Sequence, residues 1–303
     1  MRMLVRLTVR QHRFEVIALC ALLALTALGL AAVGAVWSTL PVAECLLTSG
    51  PRCQALMDTL QVINAIGAPV LAVAVAGPAA AGVILGAGLV SKEVDRGTAV
   101  LPWTMGRSRR RWLLERMLVF AAIVGGLALI LAVLTDSLVS MFDLTPLDSS
   151  LFGYEVRGWM IPARAMVGLA AGVLAGAMLG RPIPGLLAGA VIAVVCCTAV
   201  LTVGDGLNRA QAVEFVGRGG LYLDSILRDR TGAIVTWDEA NARLPQDDPN
   251  WVELFNAEFT SYDVGVPGSE SRVVTGREVL MLGGLAALMT AAAVVVVERR
   301  RPY

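Results

Sequence analysis

Six stretches of this sequence are almost entirely apolar, and they constrain the fold more than any other feature. They cover residues 16–36, 66–90, 118–141, 159–180, 183–203 and 279–297. Each is close to the length of about 20 apolar residues that a helix needs to cross a bilayer, and none keeps the polar face of a helix in a water-soluble protein. The chain is 56% apolar, with a mean hydropathy of +0.71. These features predict an all-α integral membrane protein with about six transmembrane helices.

Basic residues lie mainly in alternate connecting segments, and this predicts the orientation of the helices. Four arginines precede the first stretch, seven basic residues lie in segment 91–117, and Arg181 and the arginines at 299–301 fall on the same side. The short segments of the opposite side have only Arg52, Arg157 and Arg164. Because cytoplasmic segments carry the excess of Lys and Arg, both termini are predicted to be cytoplasmic, in a multi-pass protein of a bacterial inner (plasma) membrane.

The N-terminal segment 1–13 has two interpretations. Its arginines recur at helical spacing, with Leu4, Leu7 and Phe14 mostly on the opposite face. That arrangement is typical of an amphipathic helix lying along an anionic membrane surface. The same arginines also suffice as positive topology determinants, and both interpretations stay open.

Two connecting segments fall on the predicted extracytoplasmic side. The longer one, 204–276, has an excess of acidic residues and predicts a small cap between the fifth and sixth helices, too small for an independent enzyme domain with a sizeable core. The other lies between the first two helices and contains Cys45 and Cys53. In an oxidising compartment these cysteines would form a disulfide that closes a short loop; two free thiols are the alternative.

Glycines recur every fourth residue in two of the apolar stretches. The fourth stretch has Gly168, Gly172, Gly176 and Gly180, and the second has Gly82 and Gly86. Small residues at this spacing let two helix backbones approach closely. We therefore predict that these glycines serve helix packing in a compact bundle, with little room for a wide permanent pore.

Motifs for covalent chemistry are missing. A phosphate-binding loop needs a lysine in a G-x-x-x-x-G-K-[ST] frame, and Lys92, the only lysine, lacks those glycines. His12, the only histidine, cannot form an H-E-x-x-H zinc site or a Ser-His dyad within the membrane. Asp247 and Asp248 are more simply interpreted as a solvated turn than as a metal or sugar-phosphate site. We predict no enzymatic activity, no catalytic or metal site and no cofactor on this chain, and the net charge of +1 gives no indication of nucleic-acid binding.

Few charges lie near the apolar stretches. Asp136 is close to the predicted outer end of the third helix and Arg164 to that of the fourth. We interpret both as side chains that snorkel to the interface, although a paired or cargo-lining role is the alternative. The lack of charges deep in the stretches argues against an ion-coupled pump, which needs buried carboxylates, and is compatible with an apolar cargo.

The segment 91–117 joins the second and third helices on the predicted cytoplasmic side. Glu93, Asp95, Arg96, Gly97 and Thr98 are followed by a short apolar run, 99–103, and then by basic residues that enter the next helix. A short helix with apolar and charged faces between two spans is a suitable docking element for a soluble partner. A charged topology loop without a partner is the alternative, but the order acidic, Gly, Thr, apolar is less generic.

In these features the sequence resembles the ABC-2 type transporter permeases, which show an apolar span, a Glu-x-x-x-Gly-Thr segment, a Trp or Leu run and an Arg-rich entry to the third span. The matching residues are Glu93, Gly97, Thr98, Trp103, Arg109 and Trp112. The resemblance extends to 158–184, with its Gly-rich fourth span, and to the basic end of the last span. The length of 204–276 departs from many relatives.

The resemblance implies a single transmembrane permease domain over 1–303, with a second permease subunit in a homodimer or heterodimer. It also implies a separate ABC ATPase subunit that binds ATP and magnesium. Its coupling to this chain would pass through Glu93, Arg96, Gly97, Thr98, Leu101 and Trp103. The function predicted is export of a hydrophobic or amphipathic cargo, such as a drug, lipid or peptide antibiotic. The alternative is a membrane scaffold or sensor whose segment 204–276 binds a ligand or partner.

Overall fold

The computed structural model describes residues 13–40, 51–95, 108–142, 149–215, 219–244 and 251–299. Within these ranges the chain forms two compact units. The first, made of residues up to 144 with 153–201 and 275–303, contains the long helices, and the second combines 145–152 with 202–274. The long helices are α1 (Arg13–Ser38), α2 (Pro51–Asp95), α3 (Arg109–Phe142), α4 (Met160–Leu179), α5 (Pro182–Ala210) and, after the second unit, α8 (Ser271–Arg299).

Six helices in the described part of the chain are long and apolar enough to cross a membrane, and they are these same six. A continuous helix satisfies its backbone hydrogen bonds internally, which the hydrocarbon interior requires. The prediction of an all-α membrane protein with about six transmembrane helices is confirmed. The exposed side chains of α1, α5 and α8 are largely aliphatic, such as Leu25, Val194 and Leu288, as expected of surfaces that contact lipid.

Five of these six helices extend beyond the apolar stretches that mark them. The stretch 66–90 is the centre of α2, which begins at Pro51 and ends at Asp95 with Pro69 and Pro78 inside it. The last helix begins at Ser271, eight residues before the predicted span, and α5 continues to Ala210. Hydropathy reports only the part of a helix that suits the hydrocarbon core, whereas backbone hydrogen bonding continues through polar turns at both ends.

Helix α4 is the central helix of the first unit. Most of its residues are buried, among them Ile161, Val167 and Val173. One cluster of apolar side chains joins α4 to α1, α2, α3 and the end of α8, and a second joins it to α5 and the start of α8. The shortest transmembrane helix is thus the most enclosed one, and α2 and α3 pack against it most extensively.

The second unit contains a four-stranded antiparallel sheet. Its strands are β1 (Val213–Phe215), β2 (Leu221–Asp229), β3 (Ile234–Val235) and β4 (Phe259–Val266), in the spatial order β1-β4-β2-β3. Between β3 and β4 lie the short helices α6 (Trp237–Arg243) and α7 (Trp251–Glu258). Apart from a short β-like run at 233–237, these strands have no regular alternation of apolar and polar residues that would predict them from the sequence.

An aromatic stack forms the core of the second unit. Phe255 of α7 stacks on Trp237 with ring centroids 5.5 Å apart and on Trp251 at 5.0 Å, and it also contacts Phe259 at 5.4 Å. Leu227 of β2 is buried in the same cluster. Stacked aromatic pairs add about 0.5–1.5 kcal/mol beyond the area that they bury, so this small unit has a core of its own.

Asp229 organises the turn between β2 and β3. Its carboxylate accepts hydrogen bonds from the Thr231 hydroxyl at 2.5 Å, from the backbone N–H groups of Thr231 and Ala233, and from Arg243 at 3.2 Å. These contacts, that of the Thr231 hydroxyl first, hold the pKa of Asp229 below its usual value. A carboxylate with a lowered pKa stabilises the fold above its unfolded-state pKa of about 3.9, and this contribution is lost as the pH falls further.

We expect Asp229→Ala to loosen this turn. Trypsin should then cleave the detergent-purified protein faster after Arg228 or Arg230, and cleavage of the parent protein's turn by an acid-active protease should increase below about pH 4. Asp224→Ala is the matched control, because Asp224 on the same strand accepts one local hydrogen bond, from the N–H of Ser225. Equal cleavage rates for the two variants would contradict the role assigned to Asp229.

Candidate functional site

Backbone contact between α2 and α4 is the closest helix pairing in the first unit. A Cβ atom added at Gly82 would lie 2.5 Å from the Ala165 carbonyl oxygen, and one at Gly172 would lie 2.5 Å from that of Val83. Gly176 is similar, at 2.7 Å from the Ala87 oxygen. The glycines of the two helices therefore interleave, and any side chain at these positions would meet backbone rather than a movable neighbour.

Gly168 also faces α2, next to the backbone of Ala79. Gly180 has a different position, at the end of α4. Gly180 ends α4 with φ 67° and donates its N–H to the Gly176 carbonyl at 3.0 Å. This left-handed conformation favours glycine, since a Cβ would clash with the adjacent backbone. The fourth glycine of the series thus terminates the helix before the turn to α5.

Polar contacts bring together the helix ends on either side of segment 91–117. Lys92, near the end of α2, forms an ion pair with Glu15 at the start of α1. Arg109, at the start of α3, donates to the backbone carbonyl of Glu298 near the end of α8 at 3.4 Å. By the arginine distribution, this end of the bundle is the one predicted to be cytoplasmic.

The first turns of α3, at the same end of the bundle, contain two side-chain contacts. The Arg116 guanidinium lies 4.8 Å from the centre of the Trp112 ring, and both side chains are buried. Arg111 pairs with Glu115 at 2.9 Å on the exposed side of the helix. Both contacts join residues four apart on α3 itself, so they stabilise the first turns of this helix, the buried cation–π contact by about 2 kcal/mol.

The structure places only part of the predicted coupling residues. Glu93 lies in the last turn of α2, where the structure describes its backbone only. Cys53 lies in the first turn of α2, where again only its backbone is described. The remaining predicted residues lie outside the described ranges: Arg96, Gly97, Thr98, Leu101, Trp103, Cys45, Asp247 and Asp248.

Charged side chains also meet at the opposite end of the helices. Asp136 of α3 lies 4.0 Å from Arg157 and accepts a hydrogen bond from the N–H of Gly158. Arg164, one turn into α4, is only 8% exposed. Arg164 is enclosed, so its interpretation as a side chain that snorkels to the interface is wrong. Asp136 is half-buried and paired with Arg157, and for Asp136 that interpretation stays a prediction.

Glu278 of α8 is a buried carboxylate that the sequence analysis missed. Its side chain is 0% exposed and accepts a hydrogen bond from the Tyr154 hydroxyl at 3.1 Å. It precedes the apolar stretch 279–297 by one residue, so it was assigned to the polar segment. A helix that starts well before its apolar stretch places such a residue inside the bundle, and the glycine and valines at 273–276 were the available signal.

An apolar crevice of about 380 Å³ lies between α1, α2 and α3. Among its lining residues are Leu30 and Trp37 of α1, Ile63 and Leu71 of α2, and Leu138 of α3. Aliphatic and aromatic side chains dominate this lining. Such a crevice is suited to a hydrocarbon chain or ring, which needs no hydrogen-bonding partner.

The first five helices and the segments between them correspond to a known family. Residues 15–203 match the family model described as ABC-2 membrane transporter related. The chain belongs to the ABC-2 membrane transporter related family. As a member of this family it is a multi-pass membrane protein and a permease of an ABC-type transporter. The family match includes segment 91–117 and the glycines of α2 and α4, and ends before the four-stranded sheet and α8.

A search of curated proteins and a search of solved structures found no match for this ABC-2 family member. The four strands of the sheet and Glu278 lie beyond residue 203, where the family match ends.

Proposed function

We propose that this chain is the membrane-spanning subunit of an ATP-driven exporter in the plasma membrane. It pairs with a second permease subunit, and a separate ABC ATPase subunit binds ATP and Mg²⁺. The cargo is hydrophobic or amphipathic. The family match over residues 15–203 carries this proposal, because permeases of this kind convert the ATPase cycle of a partner into movement of a cargo.

Lys92 supports placing ATP on a partner. The γ-phosphate of ATP requires a lysine that reaches from a glycine-rich loop, and Lys92 is the only lysine of the chain. In the structure it lies in a long helix and pairs with Glu15. ATP chemistry therefore needs residues from another subunit.

Segment 91–117 is the proposed contact with that ATPase. It joins α2 directly to α3, and α2 packs on α4 through backbone contacts at Gly82 and Gly172. Since a close-packed helix pair moves as one body, a displacement of segment 91–117 is transmitted to α4, around which the bundle is built. ATP binding then favours one arrangement of the helices over another by differential affinity for the two.

The apolar crevice supports a hydrophobic or amphipathic cargo. The crevice of about 380 Å³ between α1, α2 and α3 has an apolar lining. No group of three or more potential metal ligands occurs among the described residues. A drug, lipid or peptide antibiotic with a large apolar part fits these surfaces better than an inorganic ion does.

Co-purification tests the proposal. The chain, tagged and co-expressed with the products of its neighbouring genes, is purified in mild detergent, and the co-purifying subunits are identified. We expect a stoichiometric subunit with a phosphate-binding loop, and an ATPase activity that is lost when the catalytic carboxylate of that subunit is changed to its amide. Stimulation of this activity by a series of lipids and amphipathic drugs then identifies the cargo.

Purification without an ATPase, under conditions that preserve other complexes, would overturn the exporter proposal. The scaffold or sensor function would then be favoured, with the second unit as its ligand-binding part. That unit has its own sheet and aromatic core, and both functions predict a folded unit there. Ligand-dependent recruitment of a kinase or regulator would support the sensor.

A further inference from the structure

At one end of the helical bundle, which we call the basic end, α1, α3 and α5 begin and α2, α4 and α8 end. The ion pair of Lys92 with Glu15 joins the end of α2 to the start of α1. The hydrogen bond from Arg109 to the carbonyl of Glu298 joins the start of α3 to the end of α8. The glycine contacts follow the same order along α2 and α4, so these two helices also end together.

The cations of the basic end fall into two groups. Lys92, Arg109 and Arg111 contact acceptors of the protein itself, namely two carboxylates and a backbone carbonyl. Four other arginines are exposed and have no side-chain hydrogen bond or ion pair among the described residues. These are Arg13 at the start of α1, Arg110 at the start of α3, Arg181 directly before α5, and Arg299 at the end of α8. The second group therefore has positive charge that the described part of the protein does not neutralise.

An exposed apolar side chain lies within two helical turns of each of these four arginines. The nearby residues are Ile17 for Arg13, Leu114 for Arg110, Leu187 for Arg181 and Val295 for Arg299. In three of the four cases the two residues are four positions apart, which places them on the same face of the helix. In a helix that crosses a membrane, exposed aliphatic side chains contact acyl chains. The arginine beside them then lies at the level of the lipid headgroups.

This order of charged and apolar groups favours a phospholipid over other anionic partners. The guanidinium group binds phosphate oxygens through two parallel hydrogen bonds. An anionic phospholipid offers that phosphate and, directly below it, the hydrocarbon that Leu114 or Ile17 would contact. The acidic surface of a water-soluble subunit would offer only the anion, and would leave the aliphatic side chains without a partner.

We propose that Arg13, Arg110, Arg181 and Arg299 bind the headgroups of anionic phospholipids in the leaflet at the basic end. The acyl chains of these lipids lie along the exposed aliphatic side chains of the same helices. The inference does not depend on the exporter function, since it needs only a bilayer around the six helices. It adds an interaction surface whose partner is the lipid itself and separates these four arginines from the cations that stabilise the bundle internally.

Arg209, near the end of α5, is the matched control. It is exposed and has no side-chain hydrogen bond or ion pair within the described part of the chain, as is true of the other four. One turn before it, however, lies Asp205, an exposed carboxylate, where the four arginines have an apolar neighbour. Arg209→Gln therefore removes the same charge without removing a headgroup contact of the proposed kind.

Lipid retention tests the proposal on the full chain without partner subunits. The protein is purified in a neutral detergent and incubated with equal amounts of phosphatidylglycerol and phosphatidylcholine, and the lipids that it retains after washing are quantified. One arginine near a membrane surface strengthens binding of an anionic lipid by about fivefold. Changing all four arginines to Gln should thus lower the ratio of phosphatidylglycerol to phosphatidylcholine by at least about fivefold. Arg209→Gln should leave this ratio unchanged.

Two further measurements test whether the effect is electrostatic. Changing the four arginines to Lys preserves their charge and should preserve most of the preference for phosphatidylglycerol. Raising the salt concentration should lower the preference of the parent protein, because salt screens exposed charges. If the fourfold Gln variant does not fold, the four single variants replace it, since surface substitutions rarely unfold a protein. Each should lower the ratio by a smaller amount.

The possible outcomes decide between a lipid surface and the other roles of these arginines. Equal ratios for the parent and the Gln variants would overturn the proposal and show that the arginines are only solvated. An equal loss in Arg209→Gln would also overturn it, because any exposed arginine would then suffice. If the Gln variants keep the lipid ratio but no longer co-purify with an ATPase subunit, the arginines bind that subunit instead of lipid.

Discussion

Gly172→Ala is expected to destabilise the folded protein by about 3 kcal/mol or more. The new Cβ would lie 2.5 Å from the Val83 carbonyl oxygen and 2.9 Å from the Ala87 nitrogen, distances at which one helix must move. Overpacking into side chains costs about 1–3 kcal/mol, and here the obstacle is backbone that cannot change rotamer. Because α2 and α4 form the most intimate pairing of the bundle, their separation loosens the contacts of every helix around α4.

Thermal unfolding in detergent, followed by size-exclusion chromatography, measures this effect. Gly126→Ala is the matched control, since an added Cβ at Gly126 of α3 meets nothing within 4 Å. We expect that control to unfold within about 0.5 kcal/mol of the parent protein, as surface substitutions usually do. A melting temperature for Gly172→Ala that equals that of Gly126→Ala would show that α2 and α4 are not in backbone contact.

Gly97→Trp and Glu93→Ala are expected to lower transport strongly while leaving membrane insertion intact. Both residues belong to the proposed contact with the ATPase, where a bulky indole or a lost carboxylate weakens the transfer of motion to α2. Coupling between two sites is typically a factor of about 5–150, and we expect transport in inside-out vesicles to fall by that range. The melting temperature of the purified variants should stay near that of the parent, because the six apolar helices are unchanged.

Glu298→Ala provides the comparison for Glu93→Ala. Glu298 is an exposed carboxylate near the end of α8, and the Arg109 contact at this residue uses its backbone carbonyl rather than its side chain. The variant should therefore transport normally. Normal transport by both Gly97→Trp and Glu93→Ala would show that this segment has no coupling role. If the ATPase no longer co-purifies with a variant, the transport defect results from lost docking of the ATPase.

Much of the fold was predictable because the membrane acts on each helix separately. The six apolar stretches predicted the number of transmembrane helices, and the confirmed family agrees with the resemblance based on Glu93, Gly97 and Thr98. The ends of the helices were not predictable in the same way. Hydropathy does not indicate the polar turns by which α2 begins at Pro51 and α8 begins at Ser271.

The buried charges were the main error of the sequence analysis. Arg164 and Glu278 lie near the ends of apolar stretches, a position that usually allows a side chain to reach water. In this protein α4 is surrounded, and α8 begins two turns before its apolar part, so both side chains face protein. Whether a charge near a helix end is enclosed depends on the neighbouring helices, and no local pattern contains that information.

The amino-acid sequence alone determined that the chain crosses the membrane with six helices, since in hydrocarbon each helix must satisfy its own backbone and present apolar side chains. It also determined which faces of α2 and α4 admit close approach, because only glycines leave that space. Tertiary packing decided that these two helices pack against each other, and that Tyr154 contacts Glu278, 124 positions later in the sequence. Such pairings follow from the shape of the whole bundle, in which each helix has several neighbours of similar polarity and only one that fits.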